Sequence, residues 1–237
     1  PDSRFKRKWI LEPFNQVFGR QVDLYHDLDA RAPGRWMKAR LVVTIHDVFS
    51  ALQSREFATV AFRKLKAERY QEILDRADRI IVVSESSKRD VMETLGAKAE
   101  RIRVVHEAGG PDFYPRPPGE VEEIRRRHSL AGPYFIYVGT LNKRKNVLRM
   151  IQAFLLARRQ ARSDAVFALA GRLGFGGDEI GKALEGMEGS DQIKLLGYLP
   201  DAEIPALYSG AAGLLYATLY EGFGIPLLEA MQTARPI

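Results

Sequence analysis

Two glutamates stand on either side of a glycine-containing stretch in YEGFGIPLLEAM, residues 220–231. Glu221 precedes Gly222, and Glu229 comes eight residues after Glu221. Pro226 excludes one uninterrupted helix through the stretch and suits the first position of a helix. The pattern therefore predicts a strand, a loop beginning near Glu221 and a helix that carries Glu229 in its first turns. Carboxylates separated in this way could accept hydrogen bonds from two hydroxyl-bearing parts of one ligand.

The loop between the two glutamates could approach a ligand with its backbone. Gly222 and Gly224 carry no side chain, so their N–H groups can come close to a bound molecule. A sugar nucleotide fits this layout, because its sugar and its ribose lie on either side of a diphosphate. The structural alternative is a helix-start glutamate favoured by the helix dipole beside an unrelated loop acid, and spacing alone does not separate the two.

Three cations follow another predicted strand. In YVGTLNKRKNVLRMI, residues 137–151, Lys143, Arg144 and Lys145 fall near the start of a predicted helix. Cations are unfavourable at a helix N-terminus, which already presents free N–H groups and the positive end of the dipole. No carboxylate stands nearby in the sequence, so a bound anion such as phosphate would account for the pattern. The alternative is an exposed basic turn. Arg172, in AGRLGFGG, could line the same pocket.

Histidines follow three of the predicted strands: His26, His46 and His106. Ligands of open parallel sheets bind beyond the carboxyl ends of the strands. His46 is the strongest candidate of the three, because Asp47 beside it could orient or charge the ring. By contrast, we interpret Ser84 in VVSESSKRD as a helix cap.

Short apolar runs alternate with longer helical patterns along the chain. Continuous Val, Ile and Leu runs are typical of strands buried on both faces of a parallel sheet, and their alternation with helices indicates βαβ units and an α/β fold. The predicted strands are QVDLYH, ARLVVTIH, RIIVVS, RIRVVH, PYFIYVG, DAVFALAG, QIKLLG and AGLLYAT. Helical spacing occurs in AFRKLKAERYQEILDRA, SSKRDVMETLG, NVLRMIQAFLLARRQ and IPALYSGA.

Proline and glycine interrupt the chain most densely in GGPDFYPRPPGE, residues 109–120. Such a segment cannot continue a helix or a central strand. We predict that it separates two lobes, residues 1–118 and 119–237. The first lobe is expected to be incomplete at its start, because the chain opens with helix-like RKWILEPFNQVFG. The second is expected to be incomplete at its end, because the chain stops at ARPI, where another strand should begin.

Composition indicates a globular protein with an uneven charge. The chain has 46% hydrophobic residues and no apolar run near the roughly 20 residues of a membrane-spanning helix. The absence of cysteine excludes a disulfide scaffold and a thiolate metal site, and it fits the reducing cytoplasm. The net charge is +6, and residues 1–118 hold 22 Lys and Arg against 17 Asp and Glu. This basic half suits an anionic partner such as a membrane surface. The alternative is an ordinary solvated surface without a partner.

Together these motifs resemble the GT-B glycosyltransferases, specifically the retaining group known as family 4, or glycosyl transferases group 1. YEGFGIPLLEAM is similar to the Glu-x7-Glu motif of that family, and VGTLNKRKN is similar to its basic donor-phosphate motif. VVSESSKRDV and TIHD resemble its N-terminal signatures. The resemblance covers nearly the whole chain. It implies two Rossmann-like lobes whose parallel sheets face a cleft, the acceptor-side lobe first and the donor-nucleotide lobe second.

The resemblance also implies roles for individual residues. Glu221 would contact the hydroxyls of the donor sugar and Glu229 the ribose, while Arg144 and Lys145 would neutralise the diphosphate leaving group. His46 matches the histidine that faces the donor sugar near the reaction centre, so His46 and Glu221 are the candidate catalytic residues. The candidate donor-binding residues are Gly139, Arg144, Lys145, Gly222, Phe223, Gly224 and Glu229.

A member of this family would be a retaining hexosyltransferase that moves a sugar from a nucleotide-sugar donor to a saccharide or lipid-linked acceptor in polysaccharide biosynthesis. It would need no metal and no cofactor, because Arg and Lys stabilise the leaving group. It would act in the cytoplasm, with peripheral membrane contact through the basic first half and without nucleic acid. VGTLNKRKN resembles the motif of mannosyl- and rhamnosyl-type transferases, so a GDP- or UDP-linked donor is expected, with GDP-mannose as the first choice.

The chain departs from the family pattern at several points, which leaves alternatives open. Thr140 stands where the phosphate motif often has arginine, and EAGGPD replaces the usual turn between the lobes. An inactive or truncated transferase domain is therefore one alternative. A metal-dependent GT-A transferase is another, because Asp27 and Asp29 form an Asp-x-Asp triplet. A basic membrane-binding or nucleic-acid-binding module is the third, although no recognised nucleic-acid motif accompanies the charge.

Overall fold

A computed structural model of the chain describes residues 22–31, 39–49, 51 and 60–237. The predicted helix in RKWILEPFNQVFG lies outside these residues, as does the basic segment RFKRKW. The chain divides into two compact units, the first ending at His106 and the second beginning at Glu107. In the part of the chain that the structure describes, no helix combines the length and the apolar character that crossing a membrane requires.

The first unit is built on a four-stranded parallel sheet in the order β1-β2-β3-β4. Its strands are β1 (Leu24–Asp27), β2 (Arg40–Ile45), β3 (Arg79–Val82) and β4 (Ile102–Val104), and its helices are α1 (Val60–Arg76) and α2 (Glu85–Leu95). The core consists of almost fully buried strand and helix residues, among them Val43, Ile45, Ile73, Ile80, Val82 and Val91. Helix α2 begins after Ser84, whose Oγ accepts a hydrogen bond from Ser87 N at 3.0 Å. The interpretation of Ser84 as a cap is confirmed.

The second unit contains a parallel sheet in the order β7-β6-β5-β8. Its strands are β5 (Tyr134–Val138), β6 (Val166–Ala170), β7 (Ile193–Gly197) and β8 (Gly213–Leu214). Its helices are α3 (Pro118–Arg127), α4 (Val147–Ala161), α5 (Asp178–Glu185), α6 (Ile204–Gly210) and α7 (Ile225–Gln232). All eight predicted strands are present, and the predicted α/β architecture with two parallel sheets is confirmed. Strand β8 is shorter than the predicted AGLLYAT, because the chain leaves the ladder after Leu215 N donates to Ile136 O.

The central strands β5 and β6 of the second sheet are largely buried on both faces, which explains their continuous apolar sequences. Neighbouring residues of one strand point to opposite faces, so the sheet separates two clusters of core residues. One cluster includes Tyr134, Ile136, Ala168, Leu207, Tyr208 and Leu214. The other includes Tyr137, Leu141, Val147, Ile151, Phe154, Phe167 and Leu169. Helix residues therefore pack against both faces of this sheet.

The proline-rich segment packs against the second unit. The Phe113 ring meets Tyr208 edge-on, with centroids 5.9 Å apart, and Arg116 N donates to Ser209 Oγ at 3.0 Å. The division between the units accordingly falls before this segment, earlier than the boundary predicted after residue 118. Proline and glycine prevent a regular helix or strand there, but they do not prevent packing of the side chains between them.

Candidate active site

Sheet order brings two distant loops of the second unit together. Strands β5 and β8 are parallel neighbours, so the loops that follow them leave the same edge of the sheet side by side. Hydrogen bonds that involve the backbone join the two loops. Leu219 N donates to Arg144 O at 3.0 Å, and Asn146 Nδ2 donates to Ala217 O at 2.9 Å. The basic motif and the first glutamate of YEGFGIPLLEAM therefore share one site.

Glu221 forms ion pairs with two cations from the loop after β5. Its Oε2 lies 2.9 Å from Arg144 Nη1, and its Oε1 lies 2.5 Å from Lys145 Nζ. Each of the three side chains is less than a fifth exposed. Arg144 Nη1 also donates to Tyr220 O at 2.8 Å. No carboxylate is close to these cations in the sequence, but the fold supplies one. Glu221 lies 76 residues from Lys145 along the chain and meets it because β5 and β8 are neighbours.

The three cations occupy a single 3-10 turn, Lys143–Lys145, directly before α4. Asn142 caps this turn, since its Oδ1 accepts a hydrogen bond from Lys145 N at 3.0 Å. The predicted position near a helix start is confirmed. Lys143, however, lies 2.8 Å from Glu179 of α5 and is 41% exposed. The turn thus directs two of its cations to Glu221 and the third to another helix.

Glycines shape the backbone at the edge of this cluster. Gly224 adopts φ +111° immediately before α7, a conformation that side chains disfavour. Pro226 lies at the start of α7, as predicted. Gly139 adopts φ +143° where the chain leaves β5. Gly222 and Phe223 complete the loop and are half-buried. These positions stay predicted contacts of a ligand.

Glu229 lies apart from the ion pairs, on α7 and beside a cavity of about 710 Å³. Its Oε2 accepts a hydrogen bond from Tyr208 Oη at 3.1 Å. Burial raises the pKa of Glu229, and the nearby Asp201 carboxylate raises it further, against the lowering effect of the Tyr208 hydrogen bond. The other residues that line the cavity are Asp112, Phe113, Arg116, Val138, Asp201, Ala202, Ile204 and Pro205. The two glutamates are therefore held by different partners.

His46 belongs to the first unit and directly follows β2. The ring is exposed, and its Nε2 shares a hydrogen bond with Leu28 O at 3.0 Å. The carbonyl of His46 accepts a hydrogen bond from Ser87 Oγ at 3.2 Å. Asp47, the predicted orienting residue, accepts a hydrogen bond from Phe49 N at 3.0 Å. The loop after β1 thus contributes to the placement of the ring, and the catalytic role of His46 stays a prediction.

The Asp-x-Asp triplet closes a local turn. The Asp27 carboxylate accepts hydrogen bonds from the backbone N–H groups of Asp29 and Arg31, at 3.0 and 2.8 Å. The Asp29 carboxylate pairs with the Arg31 side chain at 2.9 Å. Among residues 22–31, 39–49, 51 and 60–237, no three His, Cys, Asp or Glu side chains are grouped so that they could hold a metal ion. These contacts give the triplet a structural role.

The contact between Tyr208 and Glu229 was not predicted from the sequence. Tyr208 lies in a buried helix, where an aromatic residue is typical of a core, so no sequence signal marked its contact with Glu229. Arg172, which the sequence predicted to line the pocket, follows β6 and stacks over the ring of Tyr198, with 4.1 Å between the guanidinium carbon and the ring centroid. Tyr198 follows β7 and is 59% exposed.

Known proteins resemble this chain in sequence and in fold. Residues 120–237 match the family model described as glycosyl transferases group 1, and residues 6–108 match the one described as glycosyltransferase family 4. O-antigen chain mannosyltransferase B of Escherichia coli is 32% identical over 233 residues, which make up 98% of this chain and 59% of that protein.

Solved structures share the fold at lower identity. Anabaena Alr3699/HepE in complex with UDP and glucose has a TM-score of 0.76 and 20% identity, and the match covers 99% of this chain and 63% of that one. Sucrose-phosphate synthase from Thermosynechococcus elongatus has a TM-score of 0.72 and 21% identity, with 100% and 61% covered. The chain thus spans about three fifths of the length of each of these proteins.

Proposed function

The chain belongs to the family 4 glycosyltransferases, also called glycosyl transferases group 1, which have the GT-B fold. We propose that it transfers a sugar from a nucleotide-sugar donor to a saccharide or lipid-linked acceptor. The observation that carries this proposal is the cluster of Glu221, Arg144 and Lys145 at adjacent strand ends. One carboxylate opposes two cations there, so the cluster keeps a net positive charge. A diphosphate can neutralise that positive charge, and the half-buried position of the cluster strengthens the Coulomb attraction between them.

Exchange of ion-pair partners gives the cluster a chemical role. Without a ligand, the Glu221 carboxylate compensates the positive charges of Arg144 and Lys145. These cations are largely buried and would otherwise be poorly solvated. A bound diphosphate would share these cations and leave the Glu221 carboxylate able to accept hydrogen bonds from hydroxyls of the donor sugar. As the bond between sugar and diphosphate breaks, negative charge grows on the leaving group. The two cations then stabilise the transition state more than the bound donor.

Glu229 is suited to the nucleoside end of the same donor. Its carboxylate borders a cavity whose volume is within the range of about 300–1,000 Å³ that ligand pockets occupy. One carboxylate oxygen accepts the Tyr208 hydrogen bond, and each oxygen has more than one lone pair, so ribose hydroxyls can still donate to it. We propose that Glu221 and Glu229 hold the two ends of one sugar nucleotide.

The identity of the donor is a further part of the proposal. The curated relative of E. coli is named as a mannosyltransferase, and the Anabaena structure contains UDP and glucose. We propose a mannose-type donor, with GDP-mannose as the first choice. A thermal-shift panel of GDP-, UDP-, ADP- and dTDP-sugars tests the base and the sugar. Stabilisation by none of them would contradict the proposal, and binding without transfer would favour the alternative of an inactive domain.

Retention of the anomeric configuration is proposed from family membership. NMR of the first product formed from an α-linked donor tests it, because the one-bond coupling constant between C1 and H1 distinguishes α from β even for mannose. Peripheral membrane contact in the cytoplasm is proposed from the basic first half of the chain. Flotation with anionic and neutral vesicles tests that contact, and equal recovery with both would contradict it.

Donor binding and transfer are expected to persist in EDTA. Arg144 and Lys145 supply at the diphosphate the positive charge that a divalent cation would otherwise supply. The measurement is the transfer rate before and after chelation, with a known manganese-dependent transferase as the control for chelator strength. Loss of transfer in EDTA and recovery with manganese would place the protein in the metal-dependent class.

A further inference from the structure

We propose that Tyr208 is a positioning residue for Glu229 and that helix α6 fixes the orientation of this carboxylate for the nucleotide. The Tyr208 side chain has no exposed surface, and its hydroxyl donates to Glu229 Oε2 at 3.1 Å. The edge-on contact of Phe113 limits rotation of the tyrosine ring. This inference rests on the proposed role of Glu229 in holding the ribose.

Helix α6 is anchored at several points along its short length. Tyr134 Oη donates to Leu207 O at 2.6 Å, and Ser209 Oγ accepts a hydrogen bond from Arg116 N at 3.0 Å. Directly before the helix, Glu203 lies 2.7 Å from both His128 and Arg127 at the end of α3. Because the helix backbone is held from both sides, the position of the Tyr208 hydroxyl is set by the fold and not by the ligand.

The contact also affects the pKa of Glu229. Burial and the Asp201 carboxylate raise the pKa of Glu229, and the Tyr208 hydrogen bond lowers it. Asp112 and Arg116 are the other charged residues that line the cavity. Burial raises the pKa of Tyr208 above its ordinary value, so its hydroxyl remains a donor. Loss of that donor raises the pKa of Glu229 further, and at a given acidic pH more of the carboxyl is protonated and accepts ribose hydrogen bonds less strongly.

Tyr208→Phe is therefore expected to weaken nucleoside diphosphate binding by about threefold to tenfold at neutral pH, the scale of one hydrogen bond. The ratio of the variant Kd to the wild-type Kd should increase as the pH falls. Calorimetry with GDP and UDP from acidic to weakly alkaline pH measures this ratio, and titration of the phosphate itself cancels because it is common to both proteins. A ratio that is independent of pH would overturn the inference.

Tyr134→Phe is the matched control. Tyr134 is also fully buried, and its hydroxyl also contacts α6, but it donates to the Leu207 carbonyl and not to Glu229. This variant should lower thermal stability without changing the pH dependence of nucleotide binding. If both variants change the pH dependence equally, Tyr208 has only a structural role.

Phe113→Leu replaces Tyr208→Phe if the latter does not fold. It keeps the Tyr208 hydroxyl but loosens the packing of the Tyr208 ring, so it should shift the pH profile of nucleotide binding in the same direction by less. An unchanged profile would overturn the inference.

The Glu229→Gln background separates this inference from the proposed function. If Glu229→Gln leaves diphosphate binding unchanged, the proposed ribose contact fails. If Glu229→Gln weakens binding but Tyr208→Phe does not, only the positioning role fails. In the double variant, the Tyr208→Phe effect should lose its pH dependence, because glutamine does not titrate.

Discussion

Arg144→Ala is expected to weaken nucleoside diphosphate binding by about 1.5–3 kcal/mol, the scale of a hydrogen bond to a charged group. The sugar-transfer rate should fall by about 100-fold to 1,000-fold, as for the loss of one preorganised group that stabilises developing charge. The loss in rate exceeds the loss in affinity because the leaving group gains charge in the transition state. Lys145→Ala should act in the same direction. Calorimetry and initial transfer rates measure the two effects.

Lys143→Ala is the matched control for this prediction. Lys143 lies in the same turn and carries the same charge, but it pairs with Glu179 and not with Glu221. Its replacement should leave diphosphate affinity and transfer rate nearly unchanged. If all three alanine variants lower affinity equally, general electrostatic attraction would explain the effect. If none of them does, the cluster has no phosphate role.

Glu221→Gln and Glu229→Gln are expected to impair the protein in different ways. Glu221→Gln removes the charge that compensates Arg144 and Lys145, so the affinity for free diphosphate should stay the same or increase. Transfer should still fall by about 100-fold, because the amide neither accepts the sugar hydrogen bonds as strongly nor orients the two cations. Glu229→Gln should weaken the binding of both the free diphosphate and the intact sugar nucleotide by about 1–2 kcal/mol.

A binding comparison of each glutamine variant with diphosphate and with sugar nucleotide tests this difference. Circular dichroism should first establish that both variants fold, since the Glu221 ion pairs are largely buried. Equal loss of diphosphate affinity in both variants would contradict the two-ended arrangement. So would the absence of any loss, in which case the glutamates are structural.

The local chemistry of the chain was sufficient to predict the eight strands and the helices α1, α2, α4, α6 and α7, but not α3 or α5. Eight apolar runs became parallel strands, and the central strands β2, β5 and β6 are largely buried on both faces of their sheets. Ser84 begins α2 through its own side chain, and Gly224 and Pro226 begin α7 through their backbone preferences. Each of these outcomes depends on residues close together in sequence, and such preferences act before any tertiary contact forms. The positions of Glu221 and Glu229 on separate elements were predictable for the same reason.

Only the tertiary structure decided which side chains meet. The sequence does not specify that β8 pairs with β5, and this pairing alone brings Glu221 to Arg144 and Lys145. The contact between Tyr208 and Glu229 likewise requires α6 to pack beside α7. Burial, ion pairing and pKa are properties of such distant neighbours, because desolvation and Coulomb interaction depend on distance in space. The residues of the site could therefore be predicted from the sequence, whereas their ion pairs and pKa shifts depend on strand order and helix packing.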